Sequence, residues 1–224
     1  MHGRMMVVCW GILLPLGVVA ARFFKITPRQ NWPLVLDNKT WWKAHLYGQG
    51  AAVVLSLVGV AFIWNTAGGS APLALWHGYL GWSVTFLGVV QAIAGFVRGS
   101  KGGPSESCTR GDHYDMTHRR NTFERTHKSL GYLALLLAFI TVVMGLVVAD
   151  APRWMVLVIS GWWLVLAVIF MVLQKQGRCI DTYQAIWGPD PIHPGNRIAP
   201  IGFGVRRYTP DTFAKQFSKT KETT

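Results

Sequence analysis

Residues 125–149 read RTHKSLGYLALLLAFITVVMGLVVA. Arg125, His127 and Lys128 stand at the front, and nothing charged follows from Ser129 to Ala149. A helix rises about 1.5 Å per residue, so such a run is long enough to cross a hydrocarbon layer of about 30 Å. Four more long apolar runs occupy residues 5–24, 46–64, 76–97 and 154–173. Composition agrees. The 224 residues are 51% hydrophobic and only 14% charged, with a mean hydropathy of +0.29, whereas soluble domains carry about 25% charged residues. A soluble enzyme, a disordered chain and a disulfide-stapled secreted domain are thereby excluded. The expected fold is an all-α integral membrane protein with five transmembrane helices, the first four forming an up-and-down bundle.

The net charge of +12 lies in the loops and tail rather than on a basic face. Of the 22 Lys and Arg, only Arg4 and Arg153 fall on the side of the N-terminus. The other 20 lie on the opposite side: five in the first loop, seven between Arg98 and Lys128, and eight in the tail. The positive-inside rule then predicts a non-cytoplasmic N-terminus and a cytoplasmic C-terminus, in a plasma or internal membrane. The partner implied by this charge is the lipid bilayer, not nucleic acid.

Cys9, Cys108 and Cys179 give no disulfide framework and read as free thiols. The first run reads as a true span rather than a cleaved leader, because it is long for a leader and contains Pro15 and Arg22. The chain begins almost inside it, which leads us to expect the membrane part of a longer protein. Residues 1–175 are expected to form the transmembrane domain. Residues 176–224 are expected to form a cytoplasmic tail containing Pro and Gly, in which Thr209-Pro210-Asp211 would cap a short final helix.

The opening quoted above recurs. The first four spans each begin with a histidine followed by a glycine within four residues: HGRMM from His2, HLYGQG from His45, HGYLGW from His77 and HKSLGY from His127. The fifth span has no histidine, and His113, His118 and His193 lie in loops. Successive spans run in opposite directions. His2 and His77 therefore share one membrane side, and His45 and His127 the other. In an up-and-down bundle the first and third helices are diagonal, as are the second and fourth. Each pair can thus meet across the bundle centre, and the two sites would lie roughly 20 Å apart.

Two imidazoles per site are too few for zinc, which takes four ligands, or three and water. Haem brings four nitrogens of its own and needs only axial ligands. The glycines beside the histidines (Gly3, Gly48, Gly78, Gly81, Gly131) let a porphyrin approach the backbone, and Gly17, Gly59, Gly95 and Gly145 offer the same at the opposite helix ends. The plainer account is that these glycines permit close helix packing and that the histidines are polar residues of the interface. Two alternatives follow: a haem-free carrier or channel with histidines along its path, and a haem-free scaffold.

The stretches HGRMMVVCWGILLPLGVVAAR, WWKAH, WHGYLGW followed by Gln91 and Gly95, and RTHKSLGY occur in an order that resembles the cytochrome b561 family. The likeness is greatest to the branch in which the membrane part follows a DOMON domain, including ferric-chelate-reductase-like proteins, and it covers about residues 2–175. The resemblance implies a haem-binding four-helix bundle with two haem b groups, one held by His2 and His77 and the other by His45 and His127 as axial ligands. It implies transmembrane electron transfer from cytoplasmic ascorbate to monodehydroascorbate, a ferric chelate or an extracellular DOMON-type haem domain, and it leaves room for a homodimer. Lys43 stands two residues before a ligand, where it would meet ascorbate or a haem propionate. Arg22, Arg119, Arg120, Arg125 and Lys128 lie on the same side and would join it, since Arg and Lys bind such anions through charge-assisted hydrogen bonds. The plainer account of these cations is the positive-inside rule alone. The chain departs from many family members in having five spans rather than six and no DOMON domain.

Overall fold

The computed structural model describes residues 1–65 and 71–209. The Thr209-Pro210-Asp211 cap extends outside the described residues. Five helices are long and apolar enough to cross a membrane: α1 (His2–Phe23), α2 (Thr40–Ala61), α3 (Pro72–Phe96), α4 (His118–Val148) and α5 (Arg153–Lys175). A short α6 (Thr182–Trp187) follows, and there is no strand among the described residues. Helices α1 to α4 are neighbours in ring order, which leaves α1 diagonal to α3 and α2 to α4. Cys9, Trp10, Leu14, Ala52, Val84, Ala134, Ala138 and Val142 fill the bundle centre.

Pro15 shapes α1. It has no amide hydrogen, so the carbonyl of Gly11, four residues earlier, loses its helical partner. The stretch Val7–Leu13 widens to π-helix, and the Leu14 amide reaches the Cys9 carbonyl. The indole N–H groups of Trp162 and Trp163 donate to the freed Gly11 carbonyl at 2.9 and 3.2 Å. A backbone group with no partner in hydrocarbon would cost several kcal/mol. One proline thereby specifies where α5 docks. Phe139 of α4 packs on Trp163 at 4.4 Å between ring centres and completes the seat.

Residues 178–209 fold against the α3–α4 loop as a cap over one end of the bundle. Met116, Tyr183, Ile186, Trp187 and Ile201 form its core. The Tyr183 hydroxyl donates to the Tyr114 carbonyl at 2.7 Å. Gly188 ends α6 at φ 86°, a conformation that favours glycine. Three side chains from the bundle end clamp the cap: Arg22 donates to the Phe203 carbonyl at 2.7 Å, Lys25 to Ile180 at 3.0 Å and Lys128 to Ile201 at 2.6 Å.

Candidate functional site

The backbone places the four histidines as two diagonal pairs. The rings of His2 and His77 have centres 6.3 Å apart and planes at 86°. Those of His45 and His127 are 6.1 Å apart at 82°. The second pair lies at the capped end. His2 and Gly17, whose carbonyl meets His45, are separated along α1 by about 22 Å of helix.

Hydrogen bonds set the ring orientations. Nδ1 of His2 donates to the Gly59 carbonyl at 3.0 Å, that of His45 to Gly17 at 3.1 Å and that of His77 to Thr141 at 3.0 Å. A ring whose Nδ1 carries the proton presents an Nε2 lone pair, the donor atom a metal requires. Helices α1 and α2 thus exchange histidine contacts reciprocally. His127 differs, because its Nδ1 is buried with no protein partner. Its ring stacks instead on Phe123, 5.0 Å away at 23°, and the Gln91 amide donates to its backbone carbonyl at 3.2 Å.

The spacing discriminates among ligands. Two metal–nitrogen bonds of about 2 Å, plus the half-widths of two imidazoles, span about 6 Å from ring centre to ring centre. Both pairs match that span. No group of three or more His, Cys, Asp or Glu is poised to hold a metal ion among the described residues, so each pair supplies two donors, the number an iron porphyrin needs. Around His2 and His77 lies an apolar cavity of about 720 Å³, also lined by Gly78, Gly81 and Gly145; cofactor cavities typically measure about 300–1,000 Å³. Two glycines beside the histidines leave no room for a side chain. A Cβ on Gly145 would stand 2.8 Å from the His77 ring, and one on Gly59 would stand 2.9 Å from Met6 and 4.0 Å from Nδ1 of His2. These residues fit a haem.

The cations expected to meet anions divide three ways. Lys43 and Arg125 are exposed. Arg22 and Lys128 hold the cap, and Lys128 also pairs with Glu124 at 2.6 Å. Arg120 is buried beside Glu124 at 3.4 Å and lines a cleft with Arg98, Lys39 and His113. Inspection of the sequence passed over these last three. The only available hint was that His113 lies within a loop rich in Gly and Asp. Burial keeps His113 well below its usual pKa, assisted by Arg120, so the ring is neutral.

The family model for eukaryotic cytochrome b561 matches residues 1–151. Ferric-chelate reductase 1 of Homo sapiens is 28% identical over 151 residues, 67% of this chain and 22% of that protein. The Mus musculus protein of the same name is 29% identical over 153 residues, again 67% and 22%. A cytochrome b561 and DOMON domain-containing protein of Arabidopsis thaliana is 25% identical over 178 residues, 77% of this chain and 38% of that one. The chain therefore spans well under half the length of these relatives. No solved structure matches it significantly. The chain belongs to the eukaryotic cytochrome b561 family, as the order of its histidine motifs indicated. Membership of this family and five helices long and apolar enough to span make the chain a multi-pass membrane protein.

Proposed function

We propose that the chain carries electrons one at a time from cytoplasmic ascorbate to a non-cytoplasmic acceptor through two b haems. His2 with His77, and His45 with His127, would hold them. The acceptor is a ferric chelate, monodehydroascorbate or a DOMON-type haem domain; the names of the relatives favour the first and the last. The observation that carries this reading is the pair of imidazole spacings, 6.3 and 6.1 Å, at opposite ends of one bundle. Among the described residues 17 of the 19 Lys and Arg belong to the segments at the capped end, which by the positive-inside rule supports a cytoplasmic location for that end.

When bound, haem iron supplies a one-electron store whose potential follows from its axial ligands and burial. The protein's own residues hold and orient. The carbonyls of Gly59, Gly17 and Thr141 fix the imidazole tautomers. The packed centre around Trp10, Ala52 and Ala138 keeps water from running between the two ends. That dry centre also counts against a carrier or channel, which needs polar groups along its interior.

The test is an absorption spectrum of the detergent-purified protein: oxidised, then with ascorbate, then with dithionite. A low-spin b-type spectrum with two haems per chain, largely reduced by ascorbate, is the expected result. A colourless protein after expression with ample haem would overturn the reading.

A further inference from the structure

Three of the four paired histidines meet a backbone carbonyl, and those carbonyls are regularly spaced. Gly59, which meets His2, stands fourteen residues beyond His45 on its own helix. Gly17, which meets His45, stands fifteen beyond His2. Thr141, which meets His77, stands fourteen beyond His127. Each acceptor thus lies about 21 Å along its helix from that helix's own histidine, level with the histidine of the antiparallel neighbour. The same interval in α3, counted from His77, falls on Gln91.

At this position the partner of His127 is a side chain. Nε2 of Gln91 donates to the His127 carbonyl at 3.2 Å, and its Oε1 is buried with no protein partner. His127 has the complementary deficit, since its Nδ1 is also buried with no protein partner. If Nε2 is to face iron, Nδ1 carries the proton. One contact between α3 and α4 thus joins a buried donor without an acceptor to a buried acceptor without a donor, and each is costly while unmade. Phe123 covers a face of the His127 ring and supplies no oxygen to it. Gly145 and Gly95 each stand eighteen residues beyond the histidine of their helix. A Cβ on Gly145 would strike the His77 ring at 2.8 Å, whereas one on Gly95 meets nothing within 4 Å. His127 therefore does not close on Gly95, which leaves the Gln91 carboxamide room to turn.

We infer that Gln91 is the positioning residue for His127: its carboxamide oxygen accepts the Nδ1 proton and fixes the tautomer that offers Nε2 to iron. The inference rests on the two-haem reading above. Of the four histidines, His127 is the one whose orienting partner a substitution can remove without breaking the backbone. An acceptor at Nδ1 also makes the imidazole a stronger donor to the metal, which favours the oxidised iron.

Redox titration of the purified, haem-loaded full chain tests this with two substitutions. Gln91→Leu removes the acceptor, so the midpoint potential of one haem should rise while the other stays. Retention of that haem against an excess of apoglobin should fall about tenfold or more. Gln91→Glu discards the Nε2 donor but keeps an oxygen at the same reach, so it should retain its haem with a potential at or below that of the parent. Repeating Gln91→Leu in a His77→Ala background, which leaves only the inner pair intact, assigns the shift to the haem that remains. A purely structural Gln91 would lower the melting temperature in both substitutions and leave both potentials in place, which would overturn the inference. So would a shift confined to the outer haem, or a Gln91→Glu variant that behaves as Gln91→Leu does. A parent that holds no haem would sink the two-haem reading itself.

Discussion

Gly145→Ala separates the helix from the site it serves. A Cβ at that position would stand 2.8 Å from Cε1 of His77 and 3.3 Å from its Nδ1, where ordinary contact begins at 3.4 Å. The ring must retreat by about 0.6 Å, yet it is tethered to the Thr141 carbonyl by a 3.0 Å hydrogen bond. A retreat of that size stretches the bond to the limit of a real one and forfeits about 1 kcal/mol. Loss of an orienting partner typically lowers metal affinity about 10- to 100-fold. The helix itself gains, because alanine in place of an interior glycine is worth about 1 kcal/mol. The variant should therefore melt no lower than the parent in the absence of haem while releasing the haem at His2 and His77. Haem content by the pyridine method and helix melting by circular dichroism read the two effects separately. Gly161→Ala, on α5 outside the four-helix bundle, is the control, since a Cβ there meets nothing within 4 Å. Full haem content with an unaltered spectrum in Gly145→Ala would refute the fit of a porphyrin at this pair.

Three further outcomes are expected. Glu124→Gln leaves the buried Arg120 without its counter-charge and Lys128 without its 2.6 Å partner, so the capped end should lose about 3 kcal/mol, seen as faster limited proteolysis of residues 178–209. Trp10→Phe removes the indole donor to Ser56 at 3.0 Å and opens space beside Gly88, whose Cβ would stand 3.2 Å from the Trp10 ring; a loss of about 2 kcal/mol should appear in the detergent melting temperature. His113 faces Arg120, Arg98, Lys101 and Glu124, and its folded pKa is depressed. The unfolded cap takes up a proton near pH 6.5 that the folded cap refuses, so stability is complete above that pH and falls below it by at most about 1.4 kcal/mol per unit. Hydrogen exchange of the cap between pH 7 and 5 should show this slope, and His113→Gln should flatten it.

Residues that act through a local period were legible. The apolar runs announced the five helices because hydrocarbon imposes length and composition on any spanning segment. The histidine pairing was legible because alternate spans reverse direction, so a residue at the start of each span is assigned a side by counting alone. The glycines at positions 17, 59 and 145 were picked out by their depth, and the contacts of these positions with His45, His2 and His77 follow from that depth. Pro15 gave a signal that went unread. A proline inside a span always frees the carbonyl four residues before it, and in this apolar chain the indoles of the fifth span are the natural donors to look for.

The cations at the capped end were not legible, and the reason is physical. Counting charges by loop assigns each one a side but cannot say what discharges it. Arg22 is taken by a carbonyl 181 residues away, Lys128 by one 73 residues away and Lys25 by one 155 residues away. Those carbonyls belong to a tail that composition alone described as irregular, because its core forms only when Tyr183 and Trp187 meet Met116 and Tyr114 of another loop. The tail thereby acts as a filter on function. By occupying Arg22, Lys25 and Lys128 it takes the cations nearest the helix ends out of use for an anion, while Lys43 and Arg125 stay exposed. An anion arriving at this end would be held only by cations that the protein's own carbonyls have not already satisfied.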